Sequence, residues 1–168
     1  MNNGNIAQKR QFKADLLRFT SENKISMWWY SFSKNLIFLI LLVSIFGMMT
    51  IFTSINQTFG GMNTPQKIFL CGNIIFEIAM DLTKFMLWLA MKNYFESSIK
   101  FSKVIAILSV VFVAVISILY FWNYAELVSN TFLPALFNLA IFVPTFFYLK
   151  KCQPVFEEVR RLKAAMGK

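Results

Sequence analysis

The residues best suited to chemistry form one stripe near the middle of the chain. Asn73, Glu77, Asp81, Lys84 and Trp88 follow one another at spacings of four, four, three and four. At 100° per residue these positions fall within about 80° of one another, so a helix over this region presents all five on one face. Two carboxylates one turn apart, beside an amine, can form a buried ion pair or exchange protons.

These charges lie inside one of four long apolar segments. A helix needs about 20 apolar residues to cross the hydrocarbon layer, and residues 36–55, 68–91, 104–122 and 132–149 come close to this length or exceed it. Hydrophobic residues make up 57% of the chain and charged residues only 15%, against roughly a quarter in soluble domains. The sequence therefore predicts an all-α polytopic membrane protein with a four-transmembrane-helix bundle over residues 34–149.

The basic residues lie in particular segments. Of 17 Lys and Arg, six lie up to Lys34, six lie from Lys150 onward, and three lie from Lys92 to Lys103. This distribution places both termini and the middle connection in the cytoplasm, where they would also attract anionic lipid headgroups. We therefore interpret the net charge of +9 as a topology signal and a lipid contact, and we expect no nucleic-acid partner.

Residues 1–33 and 150–168 are predicted to hold short amphipathic cytoplasmic helices. In the first segment Phe12, Leu16 and Phe19 fall on one side, which suits a helix lying in the membrane interface. In the second, Pro154 can open a helix. An apolar stripe follows it, formed by Val155, Val159, Leu162 and Met166, and interfacial aromatic residues flank the first and third spans, namely Trp28, Trp29, Tyr30, Tyr120, Trp122 and Tyr124.

The charged stripe has two interpretations. A charge at the depth of Asp81 costs about 2.5–3.5 kcal/mol on insertion scales, so we expect the stripe to be enclosed by the other helices. In a structural role, Asp81 pairs with Lys84, and a protonated Glu77 donates a hydrogen bond to Asp81 or to a polar group such as Asn138. Lys84 would then extend toward the cytoplasmic edge. In a transport role, the two carboxylates carry protons or cations.

The fourth span contains two prolines. Pro144 cannot donate to the carbonyl of Ala140, which predicts a kink with Asn138 as a nearby polar group. Pro134 is expected in the first turn of the helix, where proline is harmless.

Several classes of chemistry lack their usual residues. The chain has no His, which is the commonest general base and metal ligand. Cys71 and Cys152 are predicted on opposite sides of the membrane, which excludes a disulfide between them and argues against a zinc site. No Gly-rich phosphate loop is present. We expect no enzyme, no catalytic residue, no metal and no cofactor.

Two stretches carry a further pattern. In residues 75–108 an aromatic–acidic pair and a small residue precede a basic turn and another aromatic residue. The fourth span ends with a proline, an aromatic residue, a basic pair and a later aromatic residue. The residues concerned are Phe76, Glu77, Ala79 and Phe101 in the first stretch, and Pro144, Phe146, Lys150, Lys151 and Phe156 in the second.

These stretches resemble the YdgK-like family of small bacterial four-helix inner-membrane proteins, a family catalogued as a domain of unknown function. Asp81 stands where that family usually has Asn, Ser102 replaces a Pro, and Phe142 replaces a Trp. The resemblance implies a bacterial inner-membrane protein with four helices and supplies no substrate.

Together these features predict an accessory, assembly or interaction subunit of a complex in the bacterial cytoplasmic (inner) membrane. Its partner would be another membrane protein or a second copy of the chain. One alternative is a small ion- or proton-coupled transporter that uses Glu77, Asp81 and Lys84. Another alternative is an immunity protein against a pore-forming toxin.

Overall fold

The computed structural model describes residues 3–121 and 125–165. Trp122, Tyr124 and Met166, which were assigned roles above, lie outside the described residues. The described ranges contain six helices and no strand. In chain order they are α1 (Asn3–Glu22), α2 (Met27–Gly60), α3 (Thr64–Lys92), α4 (Ser97–Phe121), α5 (Ala125–Lys151) and α6 (Gln153–Ala165).

Three segments within the described helices are long and apolar enough to cross a membrane. They are Met27–Thr53, Ser97–Phe121 and Thr131–Lys151. The 29 residues of α3 are also sufficient in length, but this helix carries Glu77, Asp81 and Lys84 near its centre. The chain is therefore an all-helical protein with three helices of membrane-span composition and a fourth long helix that differs from them in its charges.

The start of α3 is fixed by its capping residues. The Asn63 side chain accepts a hydrogen bond from the backbone N–H of Gln66 at 3.0 Å, and the Gln66 side chain accepts one from the backbone N–H of Asn63 at 2.9 Å. Pro65 lies in the first turn, where its missing N–H costs nothing. This capping box sets where the helix begins.

The prediction for Pro134 is wrong. Because α5 begins at Ala125, both Pro134 and Pro144 lie inside the helix. Residues 125–133 contain no proline or glycine and continue the helix toward its N-terminus, so position 134 is not in the first turn. Near the second proline, the hydroxyl of Thr145 donates to the carbonyl of Ile141 at 2.8 Å. The carbonyl of Ala140, which would accept from position 144 in an unbroken helix, is not the acceptor of this bond.

The long helices pack in chain order. α2 packs on α3, α3 on α4, and α4 on α5, whereas α2 and α5 share no extensive contact. The connections at residues 61–63 and 93–96 are short, so consecutive helices run antiparallel. α2 is therefore held mainly by one neighbour, α3.

The terminal helices join the core at one end of this layer. α1 packs on α6, and Leu16, Phe156 and Val159 are buried in the same cluster as Met91 of α3. The apolar side of α1 therefore contacts other parts of the protein. Its position in the membrane interface stays a prediction. The hydroxyl of Tyr30 donates to the carbonyl of Met91 at 2.8 Å, which ties the start of α2 to the end of α3.

Candidate functional site

The charged stripe of α3 forms a compact ion cluster. Lys84 Nζ lies 2.9 Å from Asp81 Oδ1 and 4.0 Å from Glu77 Oε2. The Lys84 side chain is 1% exposed, against 13% for Asp81 and 22% for Glu77. The predicted pairing of Asp81 with Lys84 is confirmed. Glu77 contacts Lys84, whereas the sequence suggested a hydrogen bond to Asp81 or Asn138.

Lys84 does not extend toward the C-terminal end of α3, which was predicted to be the cytoplasmic edge. Its ammonium group contacts Asp81 and Glu77, which precede it in the helix. Side chains of a helix tilt toward its N-terminus, and here two carboxylates lie in that direction. The ion pair therefore keeps the amine inside the protein, and the prediction that it snorkels is wrong.

A hydroxyl group on α2 completes the cluster. Ser44 Oγ donates to Asp81 Oδ2 at 2.8 Å, so each oxygen of this carboxylate has a polar partner. Ser44 was not among the residues predicted from the sequence. It is the one polar side chain in residues 36–49. A lone hydroxyl in an apolar span commonly bonds to another helix, so its position in the sequence could have predicted a contact of this kind.

A groove of about 810 Å³ opens between α2 and α5, with α3 as its floor. Three apolar residues at its rim, Leu39, Val43 and Phe137, are each more than half exposed. The bundle is therefore not closed around the stripe as expected, because α2 and α5 do not meet along this side. The groove is lined by Leu36, Leu39, Ile40, Val43, Ser44, Gly47, Met48, Ile51, Leu70, Asn73, Glu77, Lys84, Phe112, Thr131, Pro134, Phe137 and Asn138.

The groove brings together most of the polar residues singled out from the sequence. Asn73, Glu77 and Lys84 line its floor, and Asn138 reaches it from α5. The Asn73 side-chain oxygen is buried and has no hydrogen-bond partner within the described residues. The groove thus holds an acceptor and a carboxylate one helical turn apart.

Three other predicted residues, Asp81, Trp88 and Pro144, do not line the groove. The Trp88 ring stacks on Phe38, with ring centroids 5.0 Å apart, and Lys92 Nζ lies 5.1 Å from the centroid of the Trp88 ring. Pro144 is exposed. Trp88 therefore packs α3 against α2 close to the end of α3, and Pro144 affects the backbone of α5 without contacting the ion cluster.

A second cavity, of about 370 Å³, lies along α2 and α3. Its walls are apolar except at Asp81, and they include Leu41, Ile78 and Leu82. Asp81 therefore borders this cavity while Glu77 and Lys84 border the groove.

The chemistry available to this site is ion pairing and hydrogen bonding. Among the residues that the structure describes, no group of three or more His, Cys, Asp or Glu side chains could hold a metal ion. The groove offers apolar walls together with the carboxylate of Glu77 and the oxygen of Asn73. This arrangement suits recognition of a donor group inside an apolar environment.

Comparisons with protein-family models, with curated proteins and with solved structures found no match to this chain.

Proposed function

We propose that the chain is a non-enzymatic interaction subunit of a complex in the bacterial cytoplasmic membrane. It would cross the bilayer four times, with α2, α3, α4 and α5 as the spans. The open side of the bundle is the observation that supports this function. α2 packs extensively on α3 alone, and the groove beside it leaves polar groups of α3 without full coverage. A helix of a partner protein would complete the bundle there.

The pairing of its charges supports α3 as the fourth span. Lys84 is compensated by Asp81 at 2.9 Å and by Glu77 at 4.0 Å, and Ser44 contributes a hydrogen bond from α2. Paired intramembrane charges that face other helices can be accommodated within a bilayer. The proposed orientation, with both ends in the cytoplasm, follows from the distribution of Lys and Arg.

Cysteine labelling tests this topology. In a chain with Cys71 and Cys152 replaced by Ser, a membrane-impermeant maleimide applied to intact cells should label Gly61→Cys. It should not label Lys100→Cys until the membrane is opened, because the connection after α3 would face the cytoplasm. Both positions are exposed, so access should depend on the side of the membrane. Labelling of Lys100→Cys in intact cells would contradict the topology.

Site-specific photocrosslinking in native membranes tests the interaction. A photoreactive residue at Val43, on the rim of the groove, should give a discrete crosslinked product with a second protein. The same residue at Val111 on α4 is the control, since it is similarly exposed but does not line the groove. Recovery of the bare monomer from both positions would argue against an interaction subunit.

One observation favours proton- or ion-coupled transport as a second function. Asp81 borders one cavity and Glu77 borders the other, while Lys84 contacts both carboxylates. A proton could therefore pass between the two sides of the α2–α3 contact. Proton or ion flux should then be measurable through liposomes that contain the purified chain. Loss of this flux in the Asp81→Asn variant, at unchanged protein level, would support the transport function over the interaction function.

A further inference from the structure

The three charges of α3 do not balance. Two carboxylates and one ammonium group give the cluster a formal charge of −1. Asp81 has both Lys84 at 2.9 Å and Ser44 at 2.8 Å. Among the described residues, the one polar contact of Glu77 is Lys84 at 4.0 Å. The excess negative charge is therefore carried by Glu77, at the floor of the groove.

A second acceptor lies beside Glu77. Asn73 precedes it by one helical turn and lines the same groove, and its buried oxygen has no donor within the described residues. An acceptor left without a partner in an apolar environment carries the full cost of its desolvation. Lys84, which also lines the groove, lies closer to Asp81 than to Glu77 and forms no hydrogen bond with Asn73. The groove thus has room for a second positively charged donor at the depth of Asn73 and Glu77.

We propose that the groove receives a transmembrane helix of another protein that carries one Lys or Arg near the middle of its span. This inference depends on the proposed interaction function and names the chemistry of the partner. Glu77 lies one residue from the centre of α3, Thr64–Lys92, so the basic residue would lie near mid-membrane. There it would neutralise Glu77, and its remaining N–H groups would reach the oxygen of Asn73.

A second copy of the chain cannot supply this group. Its long apolar segments contain no Lys or Arg from residue 35 to 66, from 104 to 149, or between 68 and 91 apart from Lys84. Lys84 is itself 1% exposed and paired. The complementary charge must therefore come from a different protein.

Small residues on α2 favour close approach of such a helix. Ser44 and Gly47 both line the groove, and a Cβ atom added at Gly47 would meet no atom within 4 Å. Small residues allow transmembrane helices to bring their backbones together. Gly47→Leu would therefore begin its side chain in open space and fill part of the groove.

The test uses the purified full chain in liposomes with synthetic transmembrane peptides of Leu and Ala. The peptides are identical except for one central residue, which is Lys, Leu or Glu. Association is measured by energy transfer between labels on the chain and on the peptide. The Lys peptide should associate about tenfold more tightly than the Leu peptide, and the Glu peptide should associate no better than Leu. Because this change is made in the peptide, folding of the chain does not enter the comparison.

Variants of the chain locate the binding position. Glu77→Gln should remove the advantage of the Lys peptide, and Gly47→Leu should abolish association with it. Gly72→Leu is the matched control and should bind as the unchanged chain does, since Gly72 also has open space around an added Cβ but lies outside the groove lining.

Equal association of the Lys and Leu peptides, or a Lys advantage that survives Glu77→Gln, would overturn the inference. If photocrosslinks at Val43 still form in native membranes, the interaction function stands and the partner is not basic. If labelled copies of the chain associate with each other more tightly than with the Lys peptide, the occupant is a second copy and the inference also fails.

Discussion

Ser44 Oγ lies 2.8 Å from Asp81 Oδ2, across the contact between α2 and α3, while Asp81 Oδ1 lies 2.9 Å from Lys84 Nζ. One carboxylate thus links the neighbouring helix to the charge of its own helix. A change at Asp81 or Lys84 should therefore affect the attachment of α2 as well as the ion pair.

Lys84→Met should be the most damaging single change in this cluster. It leaves Asp81 and Glu77 without their positive partner in a poorly exposed environment. Removing one member of a buried ion pair typically lowers the free energy of unfolding by about 3–5 kcal/mol. Unfolding of the purified chain by SDS titration, followed by circular dichroism, would measure this loss.

The double variant Asp81→Asn, Lys84→Met is the companion to that measurement. Asn can still accept the hydrogen bond from Ser44, and one of the two uncompensated charges is gone. The double variant should therefore be more stable than Lys84→Met alone. If Lys84→Met unfolds at the same SDS fraction as the unchanged chain, the ion pair makes no net contribution to stability.

Tyr30→Phe should weaken the link between α2 and α3. The change removes the hydroxyl that donates to the Met91 carbonyl at 2.8 Å, while the backbone N–H of Tyr94 still donates to the same carbonyl at 3.2 Å. Losing one of two hydrogen bonds should reduce the free energy of unfolding by about 0.5–1.5 kcal/mol. Tyr120→Phe is the matched control, since Tyr120 is half exposed, and should change stability by less than about 0.5 kcal/mol. If both variants lose the same free energy of unfolding in SDS titrations, the buried hydrogen bond of Tyr30 contributes no more to stability than the exposed hydroxyl of Tyr120.

Cys152 should resist alkylation in the folded chain. The thiol is fully buried, and burial raises its pKa, because the charged thiolate is poorly solvated there. A neutral maleimide should therefore modify Cys152 only after unfolding in SDS. Gln153→Cys in a chain with Cys71→Ser and Cys152→Ser is the control, because position 153 is exposed and should react in the folded protein.

The same thiol gives stability a pH dependence. Because the folded pKa lies above the ordinary thiol value, the stability associated with Cys152 is fully present below that value. It is lost as the pH rises through the folded pKa. Cys152→Ala should remove this alkaline component from unfolding curves measured between about pH 7 and 10. If the Cys152→Ala variant loses the same amount of stability at alkaline pH, this pH dependence belongs to another group.

The attachment of α6 should depend on its apolar side far more than on its ion pairs. Phe156 is 1% exposed, and Phe156→Ala should lower the free energy of unfolding by about 3–5 kcal/mol. Arg160 lies 2.7 Å from Glu96, but both side chains are substantially exposed, so Arg160→Ala should cost less than about 1 kcal/mol. Limited proteolysis within α6 would detect the release of this helix. A larger loss of stability in Arg160→Ala than in Phe156→Ala would contradict this account.

Local spacing was sufficient to predict the ion pair of Asp81 and Lys84, because residues three apart on a helix are neighbours in any tertiary context. It could not predict that Ser44 would meet Asp81, since that contact depends on how α2 packs on α3. The groove was missed for the same reason. The sequence suggested an enclosed stripe, whereas α2 and α5 leave one side of α3 open.

Helix boundaries illustrate the same limit of local patterns. The predicted spans lie inside the helices apart from residue 122, which is not described, but α2 and α5 extend beyond the apolar segments into polar sequence. Hydropathy reports where lipid could surround a helix and does not report where backbone hydrogen bonding stops. Pro134 was misplaced because the predicted span began at residue 132, whereas residues 125–131, four of which are polar, already belong to α5.

The packing of α1 on α6 has a consequence for how the protein is made. Leu16 of α1 is buried in the cluster that also contains Val155, Phe156 and Val159 of α6, and α6 is the last of these helices to leave the ribosome. During synthesis the apolar side of α1 therefore lacks its contact with α6, and is shielded by lipid or a chaperone, until translation has passed all four long helices. Loss of α6 would leave the apolar side of α1, including Leu16, without the residues that cover it.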